Sequence, residues 1–165
     1  MSRTYAYLGP PDIGASVVGL PAEPPLRSPA DVAEWIRRFR RDFDRAGRLT
    51  ATFVVGEDGF VRLTDRQSEH VACAGGRPVL AAGEMTLRLQ DGSIVAEEVT
   101  NQSTGYCPDA ESWPAVAEAL NSAAIAGPSG YTTVFVFRRC ASCSQINLIK
   151  DEHFVCAVCG AALRA

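Results

Sequence analysis

Cys140-Ala-Ser-Cys143 and Cys156-Ala-Val-Cys159-Gly160 set two C-x-x-C pairs twelve residues apart near the end of this 165-residue chain. No other feature constrains the fold as tightly. A C-x-x-C turn puts two sulfurs on one side of a tight loop, and two such turns supply the tetrahedral four-thiolate set of a closed Zn²⁺ site. Such a cage leaves no open position for water, so its expected role is to hold together a segment too small for an adequate core. Between the pairs, residues 145–149 and 153–155 read as short strands of a hairpin around Lys150-Asp151-Glu152. Gly160 is placed to let the backbone bend after the second pair.

The module resembles the zinc-ribbon class of four-cysteine metal sites. Cys73 and Cys107 stand apart from it and read as small buried thiols. No basic stretch followed by an apolar run opens the chain, which implies a reducing, cytoplasmic setting where paired cysteines hold metal more often than disulfides. Sixteen basic against nineteen acidic residues give a formal charge of −3, without the overall basicity of a nucleic-acid binder. With 47% hydrophobic and 21% charged residues, the chain has a globular composition.

The punctuation divides the chain into a proline-rich arm (1–27), an α+β domain (28–137) and the ribbon (138–165). Six of the ten prolines fall in the first thirty residues, so regular structure is not expected over 10–27, and residues 5–8 read as a short strand. Ser28-Pro29-Ala30-Asp31 is a helix start, followed by a stripe of Val32, Trp35, Ile36, Phe39 and Phe43, with Gly47 as its C-terminal glycine. The four arginines Arg37, Arg38, Arg40 and Arg41 read as a solvated face balanced by neighbouring acids. Asp58-Gly59 and Asp91-Gly92 mark two hairpins, over 52–63 and 84–100. A second helix is expected over 112–125 with Trp113, Val116, Ala117 and Leu120 inward, then a strand over 131–137. Antiparallel hairpins, two helices and a terminal ribbon make an α+β fold.

The middle segment holds His70, the small-residue phrase 76–84, Asp91-Gly92-Ser93-Ile94, and Asn101-Gln102-Ser103-Thr104-Gly105-Tyr106-Cys107-Pro108. In this order the phrases resemble the C-terminal module of plant calmodulin-binding IQ-motif proteins and a related segment of bacterial effector and toxin-like proteins. The resemblance implies a shared β-rich module. Val71-Ala72 stand where that pattern has two serines and Gly105 where it has a second histidine, so a mechanism needing those groups does not transfer. No IQ element accompanies the module.

Three functional readings follow. The first is a zinc-binding adaptor or regulatory protein that works by binding another protein. The second is an enzyme with His70, Glu84, Ser103 and Tyr106 as candidate catalytic residues in one pocket, acting on a small or nucleotide-like substrate. The third is a nucleic-acid-binding ribbon that uses Arg138, Arg139 and Lys150; the alternative role for those cations is to offset the charge of the thiolates.

Overall fold

Proline at the first helical position and a serine cap begin the main helix of the domain, as expected. The structure, a computed structural model, describes residues 2–165. Its elements are α1 (Pro11–Ser16), α2 (Pro29–Phe39), β1 (Arg48–Gly56), β2 (Val61–Asp65), α3 (His70–Cys73), β3 (Val79–Gln90), β4 (Ser93–Val99), α4 (Trp113–Ser122), β5 (Val136–Arg139) and β6 (Ile146–Ile149). Single 3₁₀ turns follow α2 at Arg40–Asp42 and precede α4 at Ala110–Ser112. The four-stranded antiparallel sheet runs in the order β2-β1-β3-β4, and β5-β6 form a separate two-stranded sheet. The fold is α+β.

Alternation along β1 sorts its side chains between two cores. Ala51, Phe53 and Val55 join Trp35, Ile36 and Phe39 of α2 and Val116, Ala119 and Leu120 of α4 on one face. Val54 points to the other face, with Val71 and Cys73 of α3, Tyr106, and Tyr5 and Val17 from the N-terminal segment. Trp35 stacks on Phe39 at 4.6 Å between ring centres and donates its indole N–H to the Leu63 carbonyl at 2.9 Å. Truncating a fully buried phenylalanine such as Phe53 would cost about 3–5 kcal/mol.

The N-terminal segment wraps the sheet, with Tyr5 bridging Val79 and Leu26 bridging Val61. It contains the helix α1, which the proline count had argued against. Pro11 sits at a first-turn position, where its missing N–H costs nothing, so the proline pair starts a helix there instead of preventing one. Tyr5 makes one bridge and no strand.

Other elements also depart from expectation. Gly47 does not end the helix: α2 stops at Phe39, and Gly47, at φ +77°, turns the chain into β1 beside Asp44, whose carboxylate accepts the N–H groups of Ala46 and Arg48. β3 starts five residues before Glu84, because its small residues lie under α3 and Tyr106. Among them Gly83 is obligatory, since a methyl group there would meet the Thr100 carbonyl oxygen at 1.9 Å. In α4, Ala119 is buried and Ala117 exposed. Residues 131–135 form no strand. They touch β4 and its end at single points, through Thr132 N–H to the Val99 carbonyl and a Thr133–Thr100 bridge, and Asn101 takes up both backbone groups of Phe135.

Candidate metal centre

β5 leads directly into the first knuckle, so the hairpin that carries the site is β5–β6, with the first cysteine pair in its turn. This corrects the hairpin expected around Lys150. Lys150–His153 does form a turn, with Asp151 and Glu152 at φ +51° and +55°, but Val155 pairs with Ala162 and Phe154 accepts from Leu163 N–H. Residues 153–155 are therefore spent on the tail that wraps the cysteines and leave β6 with β5 alone.

The two knuckles share one hydrogen-bond plan. Ser144 N–H donates to the Cys140 carbonyl and Cys140 N–H to the Gln145 carbonyl, while Gly160 N–H donates to the Cys156 carbonyl and Cys156 N–H to the Ala161 carbonyl, all at 2.8–2.9 Å. The residue after each pair lies in the left-handed region, Ser144 at φ +64° and Gly160 at +75°.

All four Sγ atoms lie within 4.8 Å of one another. The separations Cys140–Cys159 and Cys143–Cys156 are 3.5 and 3.6 Å. Disulfide sulfurs lie about 2.05 Å apart, whereas four thiolates around Zn²⁺ at about 2.3 Å stand roughly 3.8 Å from each other. The residues therefore fit a tetrahedral metal, and the cluster is a zinc-ribbon-like metal site. Cys140 and Cys156 are buried, Cys143 and Cys159 exposed. Backbone N–H groups of Cys143 and Ser142 aim at Cys140 and lower its pKa; those of Cys159 and Val158 aim at Cys156 and bring it down to about 6. Cys140 and Cys156 thus favour the thiolate that a metal requires, whereas at Cys143 the Gln145 N–H is outweighed by burial and the three neighbouring sulfurs, which push that thiol up to about 12. His153 is exposed and stands outside the cluster.

Asn147 is the residue that sequence reading missed. Buried at 6% exposure on β6, it donates from Nδ2 to Cys156 Sγ at 3.5 Å and to the Gln145 carbonyl at 3.1 Å, and accepts Ala157 N–H on Oδ1 at 2.9 Å. One carboxamide thus ties the first knuckle's strand to the second knuckle. The available signal was an asparagine inside an Ile-Asn-Leu-Ile strand, a residue type depleted there. Asn101 holds a second junction. It donates to the carbonyls of Pro108 (2.9 Å) and Phe135 (2.8 Å) and accepts Phe135 N–H (2.7 Å), so it holds the entrance to the ribbon against the body.

The cations next to the cysteines differ in use. Arg138 donates to the carbonyls of Arg164 and Phe137, and Arg139 to that of Ser144. Lys150 is exposed.

In the middle segment each candidate has a local partner. His70 Nε2–H donates to the Gly83 carbonyl at 2.8 Å, and burial lowers its pKa against the opposing pull of that carbonyl and of Glu84 and Glu69. Glu84 lies 3.6 Å from Arg66. Ser103 Oγ accepts Tyr106 N–H at 3.2 Å. Tyr106, 1% exposed, donates its hydroxyl to the Arg77 carbonyl at 2.7 Å, and burial raises its pKa. His70 and Glu84 are neighbours through Gly83, and Ser103 and Tyr106 share one turn. Cys107 donates to the Thr104 carbonyl at 3.3 Å, with burial raising its pKa to about 11; Cys73 is buried and donates to the Arg62 carbonyl, its pKa likewise raised by burial. No helix is long and apolar enough to cross a membrane among the described residues.

Comparison with protein-family models, with curated proteins and with solved structures returns no match, so the resemblance of the middle segment to the calmodulin-binding family rests on its short phrases alone, and the ribbon on its cysteine geometry.

Proposed function

We propose that this chain is a zinc-stabilised binding protein that acts by associating with another protein, with the metal as scaffold. The observation that supports this reading most directly is the four-cysteine cluster, whose sulfurs all lie within 4.8 Å of one another. Four thiolates complete a tetrahedral shell around Zn²⁺, which then has no place for a substrate or a reactive water. The engagement of His70 Nε2 and the Tyr106 hydroxyl with backbone carbonyls supports the same reading, because those two atoms serve packing. In such a protein the small third core of Cys140, Cys156 and Leu163 depends on the ion, and the body is held by its two larger cores.

The test is affinity capture with the metal-loaded full chain as bait, run beside a Cys156→Ser variant, with bound metal measured in both. The expected result is one Zn²⁺ per chain and a stoichiometric protein partner retained by the wild type. A bait that retains no stoichiometric protein would overturn the reading. So would turnover of a small substrate that survives loss of the metal and disappears in His70→Gln or Tyr106→Phe.

A further inference from the structure

The register of β5–β6 pairs Phe137 with Leu148 and Arg139 with Ile146, which puts these four side chains on one face of the hairpin. The alternate residues face the other way, where Asn147 and Ile149 meet the cysteine cluster. The first face borders an open groove of about 440 Å³, whose far wall is the N-terminal segment at Leu8–Pro10 with Thr104 beside it.

That wall is held in place. Leu8 N–H donates to the Gly105 carbonyl at 2.7 Å, the Tyr7 hydroxyl donates to the Pro10 carbonyl at 3.2 Å, and the Tyr7 ring packs edge-on against Tyr106. Leu8 is nonetheless 46% exposed at the groove mouth. A well-anchored backbone that presents an uncovered leucine opposite an apolar strand face is arranged to receive apolar groups.

Charge identifies the occupant. In a chain of net charge −3, Arg139 is the one charged residue among the described residues that lines this groove, and none of their carboxylates lines it. Arg139 gives one N–H to the Ser144 carbonyl and has no other hydrogen-bond partner among the described residues, whereas neighbouring Arg138 is spent on two backbone carbonyls behind the hairpin. A guanidinium with free donors at one end of an apolar floor is complementary to a carboxylate flanked by apolar side chains. A nucleic-acid backbone, by contrast, requires several cations in a row. Each strand has four residues, about 13 Å of extended chain, so the face matches a peptide stretch of similar length.

We infer that this groove binds a short extended segment of a partner protein, with an aspartate, glutamate or C-terminal carboxylate on Arg139 and an adjacent apolar side chain over Phe137 and Leu148. The inference rests on the binding-protein reading above and supplies its recognition site.

The probe is a phage-displayed random heptapeptide library panned on the metal-loaded full chain, on Arg139→Gln, on Arg139→Glu and on Leu148→Glu. Metal content and unfolding midpoint are measured on every variant to establish that each is folded. The wild type should enrich peptides with an acidic group beside an aliphatic or aromatic residue. A synthetic peptide of the enriched sequence should bind Arg139→Gln at least tenfold more weakly and should lose measurable binding to Leu148→Glu. Panning on Arg139→Glu should shift the enriched charge from acidic to basic. The inference is overturned by no enrichment, by enriched peptides without an acidic group, by equal affinity for wild type and Arg139→Gln, or by preferential binding of a single-stranded oligonucleotide that Arg139→Gln removes. Capture of a stoichiometric partner protein that none of the groove variants weakens would sink the groove and leave the binding reading standing, whereas absence of any partner sinks that reading itself.

Discussion

Asn147 shows how much one side chain can decide at a metal site. Its carboxamide reaches a sulfur and an N–H of the second knuckle and a carbonyl beside the first, so it helps set the second knuckle's place relative to the first. Outer-sphere donors of this kind typically change metal affinity 10- to 100-fold. Asn147→Leu, close in volume but without the polar atoms, should weaken Zn²⁺ binding by that factor in chelator competition and should destabilise the ribbon by about 1 kcal/mol through the lost hydrogen bonds. His70 carries a second prediction at this scale. Its pKa is lowered by burial from an ordinary value of 6.5, so the unfolded chain takes up a proton that the folded chain refuses. Stability is therefore full above pH 6.5, falls as the pH drops below it, and levels off once the folded imidazole is also protonated. His70→Gln keeps a donor for the Gly83 carbonyl, and thermal unfolding between pH 7.5 and 5 should show a shallower loss than in wild type. The sequence named His70 but could not show that its partner would be a backbone carbonyl thirteen positions away across a strand.

At the level of elements, the knuckles are the same turn built from unequal residues. Gly160 adopts φ +75° without steric cost, while Ser144 is held at +64° in the corresponding position. Ser144→Gly should raise ribbon stability by up to about 1 kcal/mol, and Gly160→Ala should lower it by a similar amount. Thermal unfolding of the metal-loaded chain measures both; equal effects of the same sign would contradict the symmetry of the turns. Elements with strong local signatures were legible: the serine cap of α2, the Asp-Gly turns and the inward stripe of Val32, Trp35, Ile36 and Phe39 all stand as read. The start of β3 was not legible, because its small residues favour no conformation by themselves and become a strand only when α3 and Tyr106 close over them. The 131–135 run has strong β-propensity, but it meets the β4 edge only at single points and Asn101 takes both backbone groups of Phe135, so tertiary context overrode it.

For the whole molecule, three cores of unequal size imply unequal dependence on the metal. Four thiolates around one divalent cation would leave two negative charges over, and without the ion the smallest core loses the bonds that hold its sulfurs together. Chelation should therefore release residues 138–165 into rapid amide exchange while β1, β3 and their helices stay protected, a difference read directly by hydrogen-exchange mass spectrometry. Simultaneous loss of protection throughout would show instead that the ribbon is part of one cooperative unit. The cysteine spacing alone pointed to a four-cysteine cluster, because two tight turns at that separation have few other ways to place their sulfurs. The polar–apolar pattern alone determined the α+β class, since helical and strand periods are local properties of the chain. Which strand would carry the knuckles, which asparagine would bind them together, and that one arginine would face an acid-free groove while its neighbour turned away depended on contacts between residues distant in the chain. Only the folded chain brings those groups into register.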